Sequence, residues 1–144
     1  PHEGVLAALG DWSNGWACYL LQGRPVVTLN LFGTAYRVAG AEPLGAGSHL
    51  LRFEFRREGK AGGRGLLRAD ERPLAEAAIP SDLPLRWQIG GAGLLVGRDR
   101  GFPVCEDYAP PFPFTGTLHR IVLEAPAFRP RGTAQEMARA LRHE

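Results

Sequence analysis

Hydrophobic positions along the chain recur mainly with period two, in short runs separated by glycine- and proline-rich breaks. Such alternation over four to eight residues, bounded by turn residues, predicts strands that bury one face. Residues 5–9 read as the first strand, closed by the turn-rich Gly10-Asp11-Trp12-Ser13-Asn14-Gly15. Residues 16–21 and 26–31 form a hairpin through Gln22-Gly23-Arg24-Pro25. In its first arm Trp16, Cys18 and Leu20 share one face, and Ala17, Tyr19 and Leu21 the other. A short strand follows at 36–38. The cleanest alternation lies at 49–57, where Leu51, Phe53 and Phe55 oppose Leu50, Arg52, Glu54 and Arg56, so that one face is largely polar and solvated. Residues 65–69 and 73–79 make a second hairpin around Asp70-Glu71-Arg72, and 85–89 a short strand. Residues 94–97 lead into a long loop, 98–114, and 115–124 close the pattern as a last strand. The expected fold is all-β: a two-sheet antiparallel sandwich of a dozen or so short strands.

After Pro126 the character changes. Thr133 can cap a helix running to about His143, with Glu136 completing a capping box. Ala134, Met137, Ala138 and Leu141 fall on one stripe of it. The expected organisation is one domain, a sandwich over 1–126 with a linker and short α-helix over 127–144.

Composition narrows the function classes. At 144 residues the chain is long enough for a sizeable core, and 44% apolar with 22% charged residues is ordinary for a globular domain. Seventeen basic against 15 acidic side chains leave a net charge of +2, too balanced for a nucleic-acid footprint. Nothing approaches the roughly 20 consecutive apolar residues of a membrane helix. No charged segment followed by an apolar one opens the sequence, so no signal peptide is expected. Cys18 and Cys105 lie in no metal-type spacing. Two buried thiols are preferred over one long-range disulfide, and the compartment stays open between periplasmic, secreted and cytoplasmic.

Little in the sequence points to catalysis. There is no Gly-x-Ser-x-Gly elbow, and Ser13, Ser48 and Ser81 sit in turns. Cys18 lies mid-strand among large apolar residues, where a thiol is inert. His2, His49, His119 and His143 are isolated from one another in sequence. The best metal candidates are Asp99, Glu106 and Asp107 in the long loop, whose oxygens suit calcium. The preferred alternative is that they pair with Arg98 and Arg100 or cap loop amides. Glu106 and Asp107 are adjacent and so lack the spacing of paired glycosidase carboxylates on one strand face.

Binding is the harder class to set aside. Trp12, Trp16, Tyr19, Trp87 and Tyr108 offer a carbohydrate-stacking platform, because an indole suits the apolar face of a sugar, but most aromatics of a sandwich are core. Trp12 and Asn14, in a polar turn, are the ones expected to be exposed. The segment Pro110-Pro111-Phe112-Pro113-Phe114 is pinned by its prolines, which gives a rigid docking surface or a plug for the open end of the sandwich.

A resemblance adds to this. The segments Gly4-Val5-Leu6-Ala7-Ala8-Leu9-Gly10, Gly15-Trp16-Ala17-Cys18-Tyr19-Leu20, Gly23-Arg24-Pro25-Val26 and Asn30-Leu31-Phe32-Gly33 resemble the C-terminal region of bacterial arylsulfatases. So do Gly97-Arg98-Asp99, Pro103-Val104, Asp107-Tyr108 and Pro111-Phe112-Pro113-Phe114-Thr115-Gly116-Thr117. The resemblance spans residues 4 to about 124. It implies a concanavalin A-like or laminin-G-like jelly roll that follows a catalytic domain, packs on it, and supports substrate access or assembly. The sulfatase signature, Cys or Ser followed by x-Pro-x-Arg, is absent, since Cys18 precedes Tyr-Leu-Leu-Gln and Cys105 precedes Glu-Asp-Tyr-Ala. No catalytic residue carries over, so the chain is expected not to be an enzyme on its own. Docking would fall to Phe112, Phe114 and the helix stripe. The alternative is a lectin-like module in which Arg98 and Arg100 meet sulfate and Trp12 stacks on a ring. Two departures from the family pattern stand out. Asp70-Glu71 replaces the usual Asp-Gly, which calls for another turn type. A strand that the relatives place upstream of Gly4 has no counterpart, which leaves an edge uncovered.

Overall fold

The computed structural model describes residues 1–81 and 93–124, and over these the chain is all-β. Strands β1 (Gly4–Gly10), β2 (Asn14–Leu21), β3 (Arg24–Leu31) and β4 (Thr34–Ala39) form an antiparallel meander. Strands β5 (Leu51–Arg57), β6 (Gly63–Ala69) and β7 (Arg72–Ile79) form a second one, and β8 (Leu95–Val96) returns to the first sheet beside β1. The sheets are therefore β4-β3-β2-β1-β8 and β5-β6-β7, a two-sheet antiparallel sandwich. The expected strand at 85–89, Trp87 and the C-terminal helix lie outside the described residues.

Alternation decides what meets what. Cys18 on β2, Val27 on β3 and Val38 on β4 pack against Leu67, Phe53 and Ala75 of the second sheet. Leu29 and Leu31, with Trp16 and Tyr36, meet Ile79, Phe53 and Phe55. Gly65 lets the second sheet pack closely, because a Cβ there would lie 3.0 Å from the Phe53 ring and the Ile79 methyl. The outer face of that sheet carries Arg52, Glu54, Arg56, Arg64, Arg68 and Glu76, as the alternation at 49–57 predicts. Ion pairs cross it from Glu54 to Arg56 and Arg68 at 3.1 and 3.2 Å, and from Glu76 to Arg64 at 3.2 Å.

The opposite face of the first sheet is covered as well. Val5, Ala8, Ala17, Tyr19 and Val26 are buried under Val104 and Tyr108 of the loop after β8. A bulge between Val5 and Ala7 places Val5 and Ala8, three residues apart, on this same face. Strand β3 is consequently buried on both sides, Thr28 and Asn30 included.

Two-residue turns close three hairpins. Gln22-Gly23, Phe32-Gly33 and Asp70-Glu71 each have both φ angles positive, as type I′ connections require. The change of turn expected at Asp70-Glu71 does not occur: Glu71 takes the left-handed conformation at φ 66°, because the β6–β7 register leaves only two residues for the reversal.

Two further expectations are corrected. Residues 115–124 form no strand; among the described residues their backbone pairing is limited to Thr115, whose N–H reaches the Glu3 carbonyl at 2.9 Å. The outer edge of β1 is not bare. Strand β8 pairs with Ala7 and Ala8, and Val5 bridges to Pro113 and donates to the Phe112 carbonyl at 2.9 Å. Gly4 is needed there: at φ 119° a Cβ would lie 2.2 Å from the Pro113 oxygen.

Candidate functional site

Residues 98–114 cross the Tyr19 face of the first sheet as a strap held by polar side chains. Its two ends are tied together, since the Asp99 amide donates to the Pro111 carbonyl at 2.9 Å and the Phe114 amide to Gly97 at 2.9 Å. The Tyr108 hydroxyl donates to Asp99 at 2.6 Å, and Asp99 is only 2% exposed. The Tyr19 hydroxyl donates to Asp107, which also receives Arg37 Nε at 2.9 Å. With its proton given to Asp107, Tyr19 accepts from the Thr28 hydroxyl at 2.8 Å. Burial, reinforced by the bonds to Asp107 and to Asp99, pushes the Tyr19 and Tyr108 phenols well above their ordinary range, so neither is a base at neutral pH. Burial works against the Arg37 charge, but its bond to Asp107 outweighs that and holds its pKa above the ordinary value. Edge-to-face packing of Tyr19 on Tyr108 at 5.1 Å, and stacking of Tyr108 on Phe112 at 5.3 Å, complete the seam.

This geometry reassigns several candidates. Asp99, Glu106 and Asp107 do not converge: Asp99 faces Tyr108, Asp107 faces Tyr19 and Arg37, and Glu106 is exposed. Among the described residues no three His, Cys, Asp or Glu side chains gather in one place. Asp99 caps the Arg100 amide at 2.7 Å, as the alternative foresaw, whereas the ion-pair partner of Asp107 is Arg37 and neither loop arginine. Arg98 and Arg100 are exposed and follow Gly97, whose amide reaches Leu6, midway along β1 from the Trp12 turn. Among the described residues neither guanidinium stacks on the Trp12 ring. Phe112 packs against the core cluster from a half-buried position, and Phe114, also half-buried, lies edge-on to His2 at 6.1 Å.

The other gathering of interest is at the end of the sheet where β1 turns into β2 and β3 into β4. Trp12 is 61% exposed, as expected. Asp11 accepts from Ser13 N and Oγ at 2.8 and 2.5 Å. Burial opposes its charge, but these bonds and one from the Asn14 amide prevail and hold its carboxyl below the ordinary 3.8. Asn14 is half-buried, its Oδ1 receiving the Phe32 amide at 3.0 Å. The Gly33 amide donates to the Ser13 carbonyl at 3.1 Å and to Asn30 Oδ1 at 2.9 Å. Asn30 Nδ2 donates to the Val104 carbonyl at 2.9 Å, so one buried side chain ties this turn to the strap. Phe32, 73% exposed, and Phe102, 70% exposed and two residues before Val104, were not singled out from the sequence. The available signal was an aromatic at the first position of a two-residue turn, where Asn, Asp or Gly is favoured.

The remaining reactive groups are structural. Both cysteines are free, and burial pushes the Cys18 thiol up to about 12. Among the described residues no helix is long and apolar enough to span a membrane. No family model, curated protein or solved structure matches the chain.

Proposed function

We propose that the chain is a non-catalytic accessory domain of an arylsulfatase-type sulfuric ester hydrolase, packing on the catalytic domain of the same parent protein. One observation supports this reading above the rest: the residues that carry the resemblance meet along a single seam. Asp99 binds Tyr108, Tyr108 stacks on Phe112, Gly97 receives the Phe114 amide, and Gly4 admits Pro113. They act as framework, which suits a domain whose shared pattern preserves a shape and not a reaction. Contact with the catalytic domain falls to exposed apolar side chains, Leu94 and Val96 around β8 with Val122 and Leu123. Phe112 and Phe114, both half-buried, also serve the fold through the core cluster and His2.

Extending the coding sequence upstream of Pro1 tests the proposal. An in-frame Cys- or Ser-x-Pro-x-Arg motif is expected, with aryl sulfate hydrolysis by the parent and none by the 144-residue chain. Removing the domain should lower the parent's melting temperature. A parent without that motif, or hydrolysis by the chain alone, overturns the proposal.

A further inference from the structure

Exposed aromatic side chains are costly at a surface that function does not use, because each one left in water forgoes the gain of its burial. Trp12, Phe32 and Phe102 are the Trp and Phe residues more than half exposed among the described residues, and all three belong to loops tied to one end of the first sheet. Phe32 carries a second cost. Its φ of 53° is left-handed, a conformation that is unfavourable for a residue with a Cβ and that Asn or Gly adopts more easily. An unfavourable side chain on an unfavourable backbone, fixed by three amide hydrogen bonds at Phe32 and Gly33, points to use.

We propose that this end of the sandwich, carrying Trp12, Phe32 and Phe102, is a binding site for a neutral glycan. The occupant follows from area and charge. Each side chain carries on the order of 150–250 Å², of which 61–73% is exposed here. Three rings therefore supply about half of the roughly 800 Å² per partner that a specific protein interface needs, while matching a few pyranose rings. The rings do not pack on one another, so their faces remain open to a ligand. Nucleic-acid bases also stack on aromatics, but their phosphates need cations. Within residues 10–15, 30–34 and 101–104 the one charged side chain is Asp11, and the nearest cation in sequence is the exposed Arg100 before Gly101. No cluster of cations therefore stands on these loops to bind a run of phosphates or sulfates. The Asn14 amide nitrogen is unengaged and can donate to a sugar hydroxyl, since only Oδ1 of that side chain is used internally. This inference does not rest on the sulfatase reading, and it holds equally for a free-standing module.

Native gels containing hydroxyethyl cellulose, xylan, laminarin or chondroitin sulfate provide the test, run with the 144-residue chain, W12A and F32N. The unsubstituted chain should be retarded by at least one neutral polysaccharide, and each variant should bind at least tenfold more weakly. F32N places the favoured Asn-Gly pair in the turn, so it should melt higher while binding worse. A merely structural Phe32 would not separate the two readouts. Three results would each overturn the proposal: no retardation by any neutral polysaccharide, retardation by chondroitin sulfate alone, or neutral-glycan binding undiminished in F32N.

Discussion

Tyr108→Phe and Tyr19→Phe each remove a single oxygen from the seam between the strap and the first sheet, and the structure predicts unequal costs. Tyr108 donates at 2.6 Å to Asp99, a carboxylate 2% exposed whose other oxygen takes only the Arg100 amide. Without the phenol, one carboxylate oxygen stays buried and unpaired. A hydrogen bond to a charged group contributes about 1.5–3 kcal/mol, and a stranded buried charge adds to that, so about 3 kcal/mol is expected. Tyr19 donates to Asp107, but the Asp107 side chain is 28% exposed and keeps Arg37 at 2.9 Å. Water and the guanidinium compensate there, which leaves chiefly the lost acceptor of Thr28, about 1 kcal/mol. For a chain of this size these losses correspond to drops in Tm of about 10 °C and about 4 °C. Urea titrations followed by tryptophan fluorescence measure both, with unchanged m-values expected. In an Asp99→Leu background, Tyr108→Phe should cost less than about 1 kcal/mol, because the charge it strands is gone. A Tyr19→Phe loss equal to or above that of Tyr108→Phe would refute the reasoning that partner exposure sets the cost.

Glu71→Gly should stabilise the chain by about 0.5–1 kcal/mol in thermal melts, since relief of the left-handed backbone exceeds the added freedom of the unfolded glycine. The exposed Arg52–Glu71 pair at 3.6 Å contributes too little to reverse this, and a destabilised variant would contradict the turn assignment. His49 bonds Asp70 at 2.7 Å and the Gly45 carbonyl at 2.6 Å, which raises it above 6.5; the Leu50 amide and His49 hold Asp70 below 3.8. The His49 contribution is full below pH 6.5 and disappears as pH rises through its folded value, whereas the Asp70 contribution is full above pH 3.8 and disappears on acidification. The melting difference between the unsubstituted chain and His49→Gln should therefore be largest between pH 3.8 and 6.5, and a difference constant up to pH 9 would exclude the ion pair.

Period-two alternation was legible wherever one face meets a core and the other water. Residues 49–57 show it best, and both hairpins fall close to where the pattern puts them because the side-chain period is a property of the strand itself. The same logic misread 115–124, whose apolar residues alternate although the backbone finds no strand partner. Local sequence cannot reveal whether an edge is available for pairing. Trp12 was legible as an exposed aromatic because its neighbours are turn formers. Phe32 was not, since its meaning depends on which loops share an end of the sheet.

The sequence by itself determined an all-β sandwich, the turns that limit its strands, and the absence of a sulfatase signature, because these depend on residue type and short spacing alone. Only the tertiary structure decided that the second face of the first sheet is buried. Thr28 and Asn30 alternate with apolar neighbours as though solvated, yet the strap covers them: Val104 accepts from the Asn30 amide, and Tyr19 of β2, itself bonded to Asp107 of the strap, accepts from Thr28. It also decided that Asp99 and Asp107 hold the strap through separate partners. The strap lies some 70 residues from β3 in sequence, and the cost of closing so long a loop is recovered only through partners that no local pattern encodes.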